Sequence, residues 1–362
     1  MNSLTDLSSV LGPHHPLVTG QTVDASLVQA ALGNRPEQTP VWFMRQAGRS
    51  LPEYREVREG TQMLEACFNA DLVTEITLQP VRRHGVDAAI FFSDIVVPIK
   101  AVGVDVEIQP GVGPVVSEPF RSRADLDRLR DLEPDDIRPI IEAVGAIAGE
   151  LGSTPLIGFA GAPFTVASYL IEGRPSRDYL HTKALMLQDP ETWNSLLDKI
   201  ARISGEFLRQ QVLAGASVIQ LFDSWVGALS RPAYIQSVQA HSATALGMVA
   251  DLGVPKIHFG VNTGELLADM HAAGADVMGV DFRLSLDEAS KRLGGNVPLQ
   301  GNLDPATLFV DADVRERAID SVLDSAAGLP GHIFNLGHGV PPNADPGVIT
   351  SVVDYVHQGR AR

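Results

Sequence analysis

Four arginines, Arg45, Arg49, Arg55 and Arg58, crowd into one stretch, PVWFMRQAGRSLPEYREVR, of a chain whose 44 acidic residues outnumber its 28 basic ones. A guanidinium presents a planar fork of N–H donors that pairs bidentately with carboxylate or phosphate. Local positive charge in a chain of net charge −16 therefore points to a pocket for a polyanionic small molecule. Arg55 and Arg58 alternate with Glu53, Glu56 and Glu59, so for those two a solvated helix laced with ion pairs is expected. Arg45 and Arg49, separated by Gln46, Ala47 and Gly48, are the pair expected to face a ligand.

Asp94 follows Phe91, Phe92 and Ser93, where a carboxylate is costly unless a cation or an N–H donor meets it. Two roles stand level for it: capping or pairing inside the protein, and facing a ligand. The stretch GFAGAPFTVASYLIEG sets Gly158 and Gly161 where backbone can approach a bound molecule closely. On spacing alone Tyr169 reads first as a core aromatic, and Ser224 as a helix cap. His338, in NLGHGVPP, lies in a glycine-flanked turn that suits a positioned imidazole better than a packed one. No second His or Cys stands at metal-ligand spacing from it, since His332 shares its apolar run and Cys67 lies on a helical stretch, so no zinc site is expected.

These residues are positioned by a repeat. Short apolar runs recur at 41–44, 87–92, 155–159, 217–222, 256–259, 277–282, 297–300 and 332–336. Amphipathic helical segments lie between them at 72–83, 137–151, 193–213, 233–252, 264–273 and 305–327. The junctions HGVD at Gly85, AGAS at Gly215 and AGAD at Gly274 each pair a helix-ending glycine with a buried strand. The alternation predicts a parallel sheet with right-handed crossovers, and eight units favour a single (β/α)8 barrel of the TIM type over an open sheet. Chemistry in such barrels sits at the strand C-termini, which here are polar. They hold Arg45 with Gln46 and Arg49, Ser93 with Asp94, Gly161 to Pro163, Asp223 with Ser224, Asn262, Asp281 with Arg283, Asn302 with Asp304, and His338. The second connection is irregular: 104–108, the turn Gly111-Val112-Gly113-Pro114, then 115–116 read as a β-hairpin inserted after strand 2, walling one side of the mouth. A dinucleotide-binding turn at Gly111 and Gly113 stands well below that reading, because Pro114 interrupts it and position 116 is Val.

Length and composition agree with this plan. A chain of 362 residues with 44% hydrophobic and 20% charged residues fills a sizeable core and excludes wholesale disorder. The barrel is expected over 39–362 as the catalytic domain, after a loosely attached leader, 1–38, with one amphipathic stretch near 23–32 and a solvent-exposed His14-His15 pair. The acidic balance argues against nucleic acid and anionic membranes as partners, and no apolar run approaches the roughly 18 residues of a membrane span. The first basic residue is Arg35, so no basic secretory start is seen, and the single cysteine, Cys67, forms no intrachain disulfide. A cytoplasmic protein is expected.

From Thr39 onward, PVWFMRQAGRSLPEYR and GFAGAPFTVASYLIEG, with FFSDIVVP, QLFDSW, HFGVNTGELL, LQGNLDPATLF and NLGHGVPPNADP in order, resemble the uroporphyrinogen decarboxylase family. The resemblance implies a single-domain barrel, a homodimer with facing clefts, and a reaction without metal or organic cofactor. It implies the substrate uroporphyrinogen III, a reduced tetrapyrrole with eight carboxylates, whose four acetate arms become methyl groups in coproporphyrinogen III. By matched positions, it makes Arg45 and Arg49 the catalytic arginines that hold substrate carboxylates within the segment Arg45, Gln46, Ala47, Gly48, Arg49. It makes Asp94 the catalytic aspartate that binds the pyrrole N–H groups, and Tyr169, Ser224 and His338 further substrate contacts. Ser50 departs from the Tyr usual after the second arginine, and Trp225 stands where family members vary. Two rivals remain: a zinc-dependent corrinoid-type methyltransferase, disfavoured by the lone Cys67, and a tetrapyrrole carrier that binds without turnover.

Overall fold

Strands buried on both faces need continuous apolar runs, and the recurring runs supply them. In the computed structural model, which describes residues 7–359, seven of them are parallel strands of one curled sheet. The strands are β1 (Ala89–Ile90), β4 (Leu156–Gly161), β5 (Val218–Asp223), β6 (Lys256–Gly260), β7 (Val277–Gly279), β8 (Leu299–Gln300) and β9 (His332–Ile333), in that spatial order. Every residue of β4 is buried. Helices cover the outside, and Gly85 ends the helix Ala70–His84 in the left-handed conformation (φ 62°) before β1, as its place in the repeat predicts. The architecture is a TIM-type α/β barrel.

The run at 41–44 behaves differently from the other seven. It contributes a single bridge, Val41 to Phe334, because Pro40 offers no N–H and the chain turns left-handed at Arg45. That short stretch nonetheless bonds to both edges of the sheet. The Phe334 N–H donates to Pro40 O (2.8 Å) and the Trp42 N–H to Phe334 O (3.3 Å) on one side, while the Asp87 N–H donates to Val41 O (2.8 Å) on the other. Inside, the Trp42 indole N–H donates to Gln300 Oε1 (3.0 Å) and Gln300 Nε2 to Gln220 Oε1 (2.9 Å), a buried polar string across the barrel.

The helix Pro190–Ala214 shows how a helix is fixed to a strand. Asp189 caps it through Thr192 N (3.0 Å), and Trp193, Leu196, Leu197, Ile200 and Phe207 line its buried face. Its Gln211 side chain accepts from the Phe159 N–H (2.9 Å) and donates to Phe159 O (3.0 Å), and a Cβ at position 158 would lie 3.0 Å from Gln211 Oε1 and crowd that pairing. Two helical segments expected to be continuous are broken. Residues 233–252 divide into Arg231–Ser237, Gln239–Gly247 and a 3-10 turn, Ala250–Leu252. Residues 305–327 divide into a 3-10 turn, Pro305–Phe309, and the helix Ala312–Ser325, since Asp304 caps the first turn through Ala306 N and Val310 is extended. A separate antiparallel pair, β2 (Val106–Gln109) with β3 (Gly113–Val116), docks on the chain after Glu172 through Val116 N–H to Gly173 O (2.8 Å).

The leader corrects the expectation made for it. Residues 1–6 lie outside the described residues, but 7–38 are packed: Leu11, Leu17, Leu27 and Val28 share one buried cluster with the barrel. His14 is exposed, whereas His15 is buried, its Nε2 2.9 Å from Val212 O, and burial lowers its pKa. The Thr22 and Ser217 hydroxyls share a hydrogen bond (2.8 Å), and Arg35 Nε donates to Leu329 O (2.7 Å). Ser, Thr and Pro content suggested a tether, but His15 and Arg35 bond to barrel carbonyls and Thr22 to the Ser217 hydroxyl, while the leucines are buried against the barrel. Leu27→Ala is expected to cost about 2–5 kcal/mol, as for a core leucine. Urea unfolding checks this, and a loss under about 0.5 kcal/mol, the surface-substitution range, would restore the loose leader.

Candidate active site

After the seam at residues 40–42 the chain makes a braced turn. The Gln46 N–H donates to Phe43 O (3.0 Å), while its side chain accepts from the Phe43 N–H (2.9 Å) and donates to Ala88 O (3.0 Å). The Met44 N–H donates to Asn335 Oδ1 (3.2 Å), and the Val340 N–H to Met44 O (2.8 Å). Held on these sides, Arg45 adopts φ 63°, a conformation that costs a residue with a Cβ about 1–2 kcal/mol. Gln46, expected among the ligand contacts, has its side chain buried and bonded within the turn. Ala47 and Gly48 complete the bend, with Leu51 N–H on Gly48 O (3.0 Å).

The Arg45 side chain lies along the last turn of the barrel, where a Cβ at Gly339 would come within 2.6 Å of its Cδ. Arg45 and Arg49 are exposed, and neither forms an ion pair among the described residues. Arg55 and Arg58 do not form the ion pairs expected for them. Glu53 is taken by Arg83, which grips both its oxygens, and Arg58 instead donates to Gln62 O (2.8 Å) and lies over the Tyr54 ring.

Asp94 emerges from β1 half-buried, accepting from the Val96 N–H through Oδ1 (3.0 Å) and leading into the helix Val97–Ala101. It thus caps a turn and also lies within the influence of the Arg45 charge. Burial pushes its carboxyl above the ordinary value, against the Val96 N–H, the Arg45 charge and the Ile95 N–H. Its charge reaches two further groups: burial and then Asp94 raise the pKa of both the Cys67 thiol and the Tyr169 phenol.

Tyr169 comes from the helix Pro163–Glu172 after β4, and Trp225 from the turn after β5. Their rings stack with centroids 3.9 Å apart at 33°, and Tyr179 meets Trp225 at 5.2 Å. Ser224, half-buried, immediately precedes this wall. His338 closes the group: burial lowers its pKa first, followed by the charges of Arg45 and Arg283, against Asp281 and the Gly339 backbone. Arg45, Asp94, Tyr169 and His338 therefore share one electrostatic environment. Other polar strand ends bind one another. Asp281 accepts from Arg283 Nη1 (2.7 Å) and from the Asn262 N–H, and Asn302 Nδ2 donates to Asp281 O (2.8 Å). Sequence reasoning gave Trp225 no role; an aromatic two residues beyond an apolar strand was the signal available. Among the described residues no group of three His, Cys, Asp or Glu side chains is placed to hold a metal ion, and no helix is long and apolar enough to cross a membrane.

A family model described as uroporphyrinogen decarboxylase (URO-D) matches residues 22–359. The chain is 60% identical over 341 residues to uroporphyrinogen decarboxylase of Streptomyces griseus subsp. griseus, covering 94% of this chain and 93% of that one. It is 58% identical over 334 residues to the uroporphyrinogen decarboxylase of Thermobifida fusca, covering 92% of each. Among solved structures, a methyltransferase from Methanosarcina mazei superposes with a TM-score of 0.77 at 20% identity, over 94% of this chain and 99% of that one, which is likeness of fold alone. Matched over nearly its whole described length, this chain belongs to the uroporphyrinogen decarboxylase family.

Proposed function

We propose that this chain converts uroporphyrinogen III to coproporphyrinogen III, releasing four CO2 without metal or organic cofactor, as a cytoplasmic homodimer in porphyrin biosynthesis. What carries the reading is the mouth itself: the exposed Arg45, without an ion-pair partner among the described residues, whose charge acts on the half-buried Asp94, with the exposed and likewise unpaired Arg49 four residues further along the chain. The arginines fit the carboxylates of the substrate, and Asp94 fits its pyrrole N–H groups. Tyr169 and Trp225 give the macrocycle an apolar wall, with Ser224 and His338 as hydrogen-bonding groups at its rim.

Breaking the bond to an acetate carboxylate leaves an electron pair that needs a sink. Protonation of the pyrrole α-carbon supplies one: the pair flows into the cationic ring, CO2 leaves, the exocyclic methylene takes a proton to become methyl, and the α-carbon gives its proton back. Asp94 acts on the cationic stage. A carboxylate about 4 Å from the ring contributes roughly 4 kcal/mol at an effective dielectric near 20, and contributes little to the neutral ground state. Arginine keeps its protons at neutral pH, so Arg45 and Arg49 hold carboxylates.

Anaerobic incubation of metal-stripped protein with uroporphyrinogen III, followed by oxidation and chromatography, is expected to give a ladder from eight carboxylates to four. Bound but unchanged substrate would mark a carrier. Asp94→Asn is expected to fold and to lose about 10²–10³ in kcat, the equivalent of roughly 3–4 kcal/mol; a loss under tenfold would remove Asp94 from the chemistry. In carbon-detected NMR, Asp94 in the free protein is expected to titrate above an ordinary aspartate. In Arg45→Gln its midpoint should move higher still, because a cation that favours the carboxylate is gone; an unmoved midpoint would separate the two residues.

A further inference from the structure

Behind the Tyr169 and Trp225 wall lies a polar pair that the proposed chemistry does not use. Thr165, on the helix Pro163–Glu172, and Asp223, the last residue of β5, are almost completely buried. One hydroxyl makes two bonds there. Thr165 Oγ1 donates to Asp223 Oδ1 (2.7 Å) and accepts from the Trp225 N–H (3.2 Å). Asp223 Oδ2 has no hydrogen-bond partner, and the fully buried His258 holds its Nε2, likewise without a partner, 3.7 Å away. A carboxyl group so far from water is expensive to keep, and packing alone gives no reason for it.

We propose that Asp223 and Thr165 are positioning residues which fix the Ser224–Trp225 turn, so that the Trp225 ring is held on Tyr169 beside Asp94. The inference rests on the function proposed above and deepens it. A turn after a strand has several backbone options, and Trp225 has no intrinsic preference for the one seen. The Thr165 hydroxyl selects that option by accepting the Trp225 N–H, and its own rotamer is selected by Asp223 on the neighbouring strand, since a hydroxyl that accepts one bond still turns freely unless its proton has a fixed acceptor. The geometry on the β5 side is thereby passed to the β4 side. Tyr169 lies four residues after Thr165 on one helix, so the rings and the hydroxyl share a face. Neither Thr165 nor Asp223 touches substrate; both act through Trp225.

Thr165→Val removes the hydroxyl at nearly constant volume, and Thr165→Ser restores it. The near-UV circular dichroism of the Trp225–Tyr169 pair, assigned by difference from Trp225→Phe, is expected to be largely lost in Thr165→Val and kept in Thr165→Ser. With uroporphyrinogen III, KM is expected to rise about tenfold in Thr165→Val with kcat within about threefold of normal, because the wall holds ground and transition states alike. Thr165→Ser should return KM to within about twofold of normal. Thr165→Ala and Asp223→Ala, which remove the hydroxyl and its acceptor respectively, stand in if the valine variant does not fold, with the same losses expected. An unchanged dichroism and KM in the folded variants, or equal damage in the serine and valine variants, would overturn the proposal. If the unaltered protein makes no product while the dichroism still depends on the Thr165 hydroxyl, the positioning holds and the function proposed above fails instead.

Discussion

Everything at the mouth depends on Arg45 being held in a backbone conformation it does not prefer. The left-handed turn survives because hydrogen bonds determine it from several sides: Gln46 bonds Phe43 and Ala88, Asn335 receives the Met44 N–H, and Met44 O receives the Val340 N–H. The stretch that presents the arginine also joins the two edges of the sheet. Barrel geometry and placement of the guanidinium are thus settled by one short set of bonds, with no freedom to adjust one without the other.

The electrostatics radiate from that placement. The Arg45 charge eases ionisation of Asp94, opposes the effect of Asp94 on the Tyr169 phenol, and helps keep His338 neutral. Burial works against the Asp94 carboxylate, and the Val96 N–H, the Arg45 charge and the Ile95 N–H work for it. An anion under that strain is a strong partner for a developing cation, and an arginine without a protein counter-ion is open to a carboxylate brought by a ligand. Elsewhere at the rim Asp281 and Arg283 pair with each other, and their opposite charges act on His338 in opposite directions.

The sequence made the repeat legible because glycine and apolar runs act locally: a helix-ending Gly85 and a fully buried β4 depend on little beyond their own neighbours. The residues at the strand ends followed from the repeat, and their family roles from motifs. What stayed hidden was decided at long range. Gln46 looks like any polar residue between two arginines until Ala88 O is seen within reach, and the pairing of Glu53 with Arg83 rather than with its helix neighbours needs the packing of two helices. Leader residues such as His15 and Thr22 read as solvent-facing by type, yet Val212 and Ser217, far along the chain, give them partners. Trp225 carried only the signal of an aromatic two residues beyond an apolar strand, because its stacking partner, Tyr169, comes from the helix that follows the neighbouring strand.

The contact of Arg45 with Gly339 also bears on how the molecule comes into being. The two belong to the first and last repeats, so the pocket has no precursor in a partly made chain. Until the final turn has left the ribosome and docked, Asn335 cannot brace Met44 and the arginine has no fixed direction. Contacts of such separation are slow to form and are the last to become cooperative. A barrel joined at this seam sets the direction of Arg45 only when the last repeat is in place, so a nascent or truncated form lacks the finished mouth.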